Sequence, residues 1–282
     1  MNILFWNTNI PKIPHKKSPN IVDCLLNLII EKHLDLLVLS EYGGDIQELC
    51  SSANNRSKIH YVPIPREPEC NRITGIINHK YETESLRGEN QTHYQIIKIL
   101  TPSYKMLVAA IHNISKLRAS EQEQAHILRC FHDDIKKLEE IHQCENTVAI
   151  GDFNVNPFEI SCIDADTMHS IPFREEVSNR PDRVVQGKTY KNFYNPTWKL
   201  FGNKCIPYAT YYHNSRGRLS NYYWNAFDQV MIRQSLMPAF IEESLEIITK
   251  AGHHRLLKNG KPNAVNYSDH LPLFCILKEE LI

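Results

Sequence analysis

Three features of the sequence predict a mixed α/β domain built on two mixed β-sheets. Residues 3–41 spell a strand, a helix and a second strand. Between residues 59 and 111, short apolar runs follow one another closely enough for hairpins. A long capped helix then leads into another buried strand at residue 147. Strands that follow one another directly pair antiparallel, whereas strands separated by a helix pair parallel, so both kinds of pairing are expected.

Each element can be placed in turn. Ile3–Trp6 is a short apolar strand ending at Asn7. After the loop IPKIPHKKSPN, Asn20 is placed to cap a helix whose Ile21, Leu25, Leu28 and Ile29 recur at helical spacing. Asp35–Ser40 is the next buried strand and exits on Glu41. Weaker strands are expected at Ile59–Ile64, Ile73–Asn78, His93–Leu100 and Met106–Ile111, the last delivering His112. Ser120 and Glu123 have capping-box spacing ahead of a helix with Leu128, Phe131, Ile135 and Leu138 on one face. Thr147–Ile150 leads into GDFNVNP. A loop-rich stretch follows, with regular structure returning at Phe227–Ile232, Leu245–Thr249 and Leu271–Leu277. No repeat and no composition shift divides the chain, so residues 1–282 are expected to form one domain.

Composition excludes little. Lys+Arg and Asp+Glu are equal at 32 each, so a nucleic-acid partner would need a local basic patch. The eight cysteines form no C-x-x-C pair, and Cys24, Cys130 and Cys275 fall within apolar patterns. They are expected to be buried free thiols in a reducing, cytoplasmic setting. No apolar run approaches a membrane span, and a strand at the third residue leaves no room for a signal peptide.

Polar residues recur where the apolar strands end: Asn7, Glu41, His112, Asp152 with Asn154, Asp228, and Asp269 with His270. Any one alone is ordinarily a turn former or a solvated side chain. Together, at one edge of a sheet-based fold, they form a carboxylate, amide and imidazole cluster. Oxygen donors without a Cys/His set suit Mg²⁺ or Mn²⁺, and Glu41 is the best single ligand. Phosphoester cleavage also needs an oriented water and stabilised phosphoryl charge. Asp152 can align or deprotonate water, Asn154 can donate to an oxyanion, and His270 held by a carboxylate can contact phosphate.

The motifs WNTN (Trp6–Asn9), SEY (Ser40–Tyr42), IHN (around His112), GDFN (Gly151–Asn154), FDQV (around Asp228) and SDH (Ser268–His270) occur in an order that resembles the endonuclease/exonuclease/phosphatase superfamily. The resemblance spans nearly the whole chain. It implies a four-layer α/β sandwich, two packed mixed β-sheets flanked by helices, with a divalent-metal site at the top of the sheets. Carried over residue by residue, Asn7 and Glu41 hold the metal and Asp269 lies in its shell. Asp152 orients the attacking water, Asn154 contacts phosphate, Asp228 pairs with His270, and His112 contacts phosphate or assists the leaving group. Abasic-site members place a tyrosine where His112 stands, which tilts the resemblance away from them. Asn9 replaces an aspartate of several repair members. NFYNPTW resembles a segment of bacterial members and is assigned no chemistry.

Substrate contact is expected from Tyr208–Trp224, where Tyr211, Tyr212, Tyr222, Tyr223 and Trp224 interleave with His213, Arg216 and Arg218, aromatics stacking on bases while arginines follow phosphates. The alternative is a packed hairpin with solvated arginines. The function expected is a Mg²⁺-dependent (or Mn²⁺-dependent) phosphodiesterase, a nuclease acting on DNA in preference to RNA. A phosphatase for a small phosphoester, such as a nucleotide or phosphoinositide, and a catalytically silent nucleic-acid-binding module are the competing readings.

Overall fold

The computed structural model describes residues 1–10, 18–89, 91–214 and 221–281. Strand β1 (Asn2–Ile10), helix α1 (Ser18–Glu31) and strand β2 (Leu36–Tyr42) make the opening β-α-β unit, with β1 and β2 parallel. Helix α2 (Ile46–Arg56) and strands β3 (Tyr61–Pro63) and β4 (Ile73–Asn78) follow. Beyond them come β5 (Glu82–Leu86), β6 (Tyr94–Leu100), β7 (Lys105–His112), α3 (Glu121–Ile141), β8 (Thr147–Asp152) and the two-residue strand β9 (Ser170–Ile171).

These strands form two large sheets. The six-stranded sheet runs Glu246–Ile247, Leu273–Ile276, β1, β2, β4, β3. The seven-stranded sheet runs β5, β6, β7, β8, Asp228–Arg233, Phe193–Tyr194, β9. Parallel pairs arise where a helix intervenes, as at β1/β2 and at β7/β8, where α3 makes the crossover.

The period-2 alternation of β7 and β8 explains the layering. Val108, Ala110, Val148 and Ile150 enter the core shared by the two sheets. Leu107, Ala109, Ile111 and Ala149 face the other way and pack with Leu128, Phe131, Ile135 and Leu138 of α3. Ile21, Leu25, Leu28 and Ile29 of α1 belong to the shared core, in which the six-stranded sheet lies. Helices and sheets thus make the four-layer sandwich.

Helix α3 begins as expected, with Ser120 Oγ accepting from Glu123 N (3.3 Å) and Glu123 Oε2 accepting from Ser120 N (2.8 Å). Asn20 does not cap α1, which already runs from Ser18; Pro19 is compatible with a first helical turn because that turn leaves its N–H positions unpaired anyway. Strand β1 continues three residues past Asn7, its register with β2 shifting between Asn7 and Ile10. Thr8 makes that extension possible: its buried hydroxyl donates to the Ser40 and Glu41 carbonyls. Cys130 is half-buried and Cys205 exposed, while the other six cysteines are buried; all eight are free thiols. Among the described residues, no helix is long and apolar enough to cross a membrane.

NFYNPTW is structural here. Phe193 and Tyr194 pair with Arg233 and Ile232 and extend the seven-stranded sheet. Asn195 accepts from Thr197 N at the start of a 3-10 turn and donates to Gln229 Oε1 (2.8 Å).

Candidate active site

Parity and register bring the polar strand ends together. His112, Asp152 and Asp228 continue the face of Val108, Val148 and Val230, all in the shared core. His112 is the parallel partner of Asp152, and Asp228 is its antiparallel partner, so the three lie side by side across adjacent strands. Gly151 permits this pairing. Its φ of 151° is outside the usual range for a side-chain-bearing residue, and a Cβ there would sit 2.0 Å from the Ile111 carbonyl oxygen. Phe153 points to the opposite face and packs edge-on against Phe131 with centroids 6.4 Å apart, anchoring the strand end.

Asn7 connects the two sheets at this point. Its Nδ2 donates to Asp152 Oδ2 at 2.9 Å, and its Oδ1 accepts from Asn9 N at 3.1 Å. Asp152 Oδ1 accepts from the backbone N–H of Asn154 at 2.9 Å. Both carboxylate oxygens of Asp152 therefore have a donor, and the side chain is 1% exposed. Burial raises its pKa above the usual carboxylate range and the Asp228 charge adds to the rise, against the pull of His270, His112 and Asn7.

His270 Nδ1 lies 2.8 Å from Asp228 Oδ2, and its Nε2 lies 3.8 Å from Asp152 Oδ2. Burial opposes charge on this ring, but the Asp228 and Asp152 carboxylates outweigh it and raise the pKa to about 10. Ser268 fixes the loop: its hydroxyl donates to the Asn7 carbonyl at 2.6 Å and accepts from His270 N at 3.1 Å. The Trp6 indole N–H donates to the His270 carbonyl at 2.9 Å. The two carboxylates thus favour the cationic form of His270.

Glu41 is the most exposed of the acids, with 43% of its side chain accessible. His112 Nε2 is 3.1 Å from its Oε1, and this hydrogen bond holds the Glu41 carboxyl below the usual range. Asp269 accepts from Asn9 Nδ2 at 2.9 Å. Glu41, Asn9 and Asn154 all have positive φ, at 48°, 47° and 54°. Asparagine tolerates the left-handed region, whereas a glutamate there stores strain.

The groups open onto a cleft of about 1310 Å³. Asn7, Glu41, His112, Asp152, Asn154, Asp269 and His270 line it, while Asp228 is fully buried behind His270. Asn154 Nδ2 spends one hydrogen on the Asn113 carbonyl (3.0 Å), leaving the other for a ligand. The oxygen donors Glu41, Asp269 and Asn7 fit a hard divalent cation. Asp152, Asp228 and His270 also lie close enough to share an ion, but the Asp228–His270 hydrogen bond already occupies that pair.

Tyr212 and Trp224 do not line the cleft. They are register partners and so share a face, the one turned to the core, where Trp224 is 9% exposed and packs edge-on against Tyr212 at 5.4 Å. The opposite face of the same hairpin carries Tyr211 and Asn225, which do line the cleft. Tyr211 lies 4.7 Å from the His270 ring and stacks on Phe227 at 5.3 Å. Arg216 and Arg218 lie outside the described residues. Arg72 and Arg118 also line the cleft and supply positive charge, while Lys116 lies over the Phe227 ring at 5.8 Å with its charge paired to Glu159. Burial lowers the pKa of Arg72, and the Glu41 carboxylate counters it. Tyr211 falls within the stretch expected to contact substrate, whereas Arg72 was not among the residues expected from sequence; its only signal is its position immediately before β4.

No family model and no curated protein matches the sequence. Solved structures do match. An AP endonuclease from Archaeoglobus fulgidus superposes with a TM-score of 0.58 at 16% identity, over 98% of this chain and 99% of that one. TDP2 from D. rerio, complexed with a single strand DNA product, gives 0.57 at 16% identity, over 98% and 97%. An endonuclease/exonuclease/phosphatase family protein from Leptotrichia buccalis gives 0.55 at 12% identity, over 99% of each chain. At such identities the likeness is one of fold.

Proposed function

We propose that this chain, which has the fold of the endonuclease/exonuclease/phosphatase superfamily, is a divalent-metal-dependent phosphodiesterase that hydrolyses DNA. Residues 1–282 would act as one domain, and the six buried thiols suit a reducing, cytoplasmic setting. The observation that carries the reading is the arrangement of a buried, doubly hydrogen-bonded Asp152 beside a His270 held cationic by Asp228. It pairs a proton acceptor with a fixed positive charge at the floor of one cleft.

Asp152 is oriented by Asn7 and Asn154, and its raised pKa makes it a stronger base than a solvated aspartate. It would align and deprotonate the attacking water. His270 would hold a phosphoryl oxygen through Nε2 as imidazolium, without surrendering its proton at neutral pH. The remaining amide hydrogen of Asn154 would donate to a second phosphoryl oxygen. His112, between Glu41 and Asp152, would contact phosphate or protonate the leaving oxygen. Glu41, with Asn7 and Asp269, would hold Mg²⁺ or Mn²⁺, which supplies charge stabilisation to the phosphoryl group.

The walls of the cleft support a polynucleotide over a small phosphoester. Tyr211 and Phe227 form a stacked pair in the lining of the cleft, and Arg72 and Arg118 add cations to the same lining. Aromatic faces take bases while cations take phosphates. Tyr211 and Arg72 therefore replace Tyr212 and Trp224 as the proposed substrate contacts.

Purified protein with Mg²⁺ or Mn²⁺, offered supercoiled plasmid, single-stranded DNA, abasic duplex, RNA and a panel of phosphomonoesters, tests the proposal. DNA cleavage abolished by Glu41→Ala and by Asp152→Ala is the expected result. Phosphate release from small esters alone would replace the nuclease with a phosphatase, and binding without turnover would leave a silent module. Arg72→Ala should raise KM for DNA and flatten its salt dependence, with little change in kcat.

A further inference from the structure

A second cluster of metal-binding side chains lies away from the cleft, where the hairpin Lys250–Arg255 packs against α1. Lys250 and Ala251 pair with Arg255 and His254, so Gly252 and His253 make a two-residue turn. Gly252 takes a φ of 56°, and a Cβ there would come 3.0 Å from Asn27 Nδ2. Glycine thus allows the turn to sit directly on the helix. Its N–H donates to Glu31 Oε1 at 2.8 Å. Asp23, Asn27 and Glu31 are spaced four residues apart and form one stripe along α1 facing the hairpin.

That docking carries His254 into the protein and leaves His253 exposed. His254 Nε2 lies 2.8 Å from Asp23 Oδ2, and its Nδ1 lies 3.0 Å from the Tyr267 hydroxyl. The two imidazoles are 3.9 Å apart by ring centroids. One ligand atom from each of Asp23, His253 and His254 falls within 4.8 Å of the other two. None of the three lines the cleft.

We propose that Asp23, His253 and His254 bind Zn²⁺. Two imidazoles and one carboxylate are a zinc donor set, with water in a fourth position, and Mg²⁺ does not favour imidazole. Zinc–ligand bonds of about 2.0–2.1 Å in a tetrahedron place ligand atoms about 3.3 Å apart. Asp23 and His254 must separate by roughly half an ångström to admit the ion. The Asp23 side chain, 37% exposed, has room to do so.

Tyr267 supplies the outer partner that metal-bound histidines ordinarily have. Without an ion, the Nε2 proton of His254 points at Asp23 and Nδ1 accepts from the Tyr267 hydroxyl. With the ion, Nε2 gives its lone pair to zinc, and Nδ1–H donates to the Tyr267 oxygen. Arg56, 2.9 Å from Asp23 Oδ1, leaves Oδ2 available and opposes the ion by charge. The bound ion would fasten the hairpin to α1, with His253 fifteen residues ahead of Ser268 in sequence.

Calorimetric titration of Zn²⁺ into the Glu41→Ala protein, with Co²⁺ visible absorption as the spectroscopic readout, separates this site from the cleft. One equivalent should bind, and His253→Ala should weaken it by about tenfold or more. His253 is exposed, so His253→Ala removes no core packing and keeps the test valid if His254→Gln proves unstable. Arg56→Ala should tighten binding, which a purely structural Asp23–His254 pair does not predict. Zn²⁺ affinity unchanged by both His253→Ala and Arg56→Ala, or no binding to the Glu41→Ala protein, overturns the proposal and leaves the nuclease reading intact.

Discussion

His270 Nδ1 and Asp228 Oδ2 lie 2.8 Å apart, with both side chains buried and Asp152 on the far side of the ring. The ring sits between two carboxylates, and that sandwich raises its pKa to about 10 despite burial. The sign of the linkage follows. A histidine whose folded pKa is raised adds stability that is full below its unfolded value near 6.5 and lost as pH rises to about 10. Asp228→Asn should therefore drop the His270 pKa, followed by NMR titration, and remove stability chiefly at and below neutral pH. Turnover should fall by about a hundredfold or more, with metal affinity little changed. An unaltered rate would take the dyad out of the mechanism.

Asp152 shifts in the same direction but with the opposite meaning for its charged form. Its folded pKa is raised, so ionisation costs stability as pH climbs through that value. The charge proposed to activate water is thus held against the fold's preference. Asp152→Asn should abolish turnover without lowering Tm at pH 7, as differential scanning calorimetry would detect. In the wild type, the acid limb of kcat should lie above the usual aspartate range. A limb at or below the ordinary value of about 3.9 would count against Asp152 as the base.

These residues were legible because a strand has period 2. Val108 and Ala110 announce the face that His112 continues, and Val148 and Ile150 announce that of Asp152. Their convergence depends on strand order, a long-range property that the motif order anticipated. The hairpin Tyr211–Tyr212 shows where parity fails. With two-residue strands, nothing in YATYYHN marks which tyrosine faces the core; pairing with Trp224 and Asn225 decides it. Arg72 precedes β4 with no periodic signal of its own. Helix α2 was missed because only Leu49, Cys50 and Ala53 along its length are buried, too few to trace an apolar stripe, although Asp45 caps it.

Glu41 offers a test of strain at the proposed metal ligand. Its φ of 48° disfavours a side-chain-bearing residue other than asparagine or aspartate, by about 1–2 kcal/mol. Glycine at this position should relieve the strain, while alanine should not. Glu41→Gly and Glu41→Ala should both lose metal-dependent activity, yet the glycine variant should be more stable by about 1 kcal/mol in urea unfolding. Equal stabilities would mean that the left-handed backbone at Glu41 is not strained.

The far end of the seven-stranded sheet depends on an ion pair that can be tested separately from the chemistry. Arg233 Nε donates to Glu139 Oε1 at 2.9 Å, with side chains 3% and 1% exposed, and this pair ties α3 to the strand Asp228–Arg233. The guanidinium also covers the Phe193 ring at 3.8 Å and donates to the Lys191 and Asn192 carbonyls. Removing one member strands a buried charge, which costs about 3–5 kcal/mol, whereas an apolar pair of similar volume avoids that desolvation. Glu139→Leu alone should destabilise strongly, because Arg233 would remain charged among Phe193 and backbone carbonyls. Adding Arg233→Met should recover much of the loss, less the share due to the two carbonyl hydrogen bonds. The coupling energy from a double-mutant cycle in urea measures that recovery. Strictly additive losses would mean that the two side chains act independently, and that the carbonyl contacts, not Glu139, hold Arg233 in place.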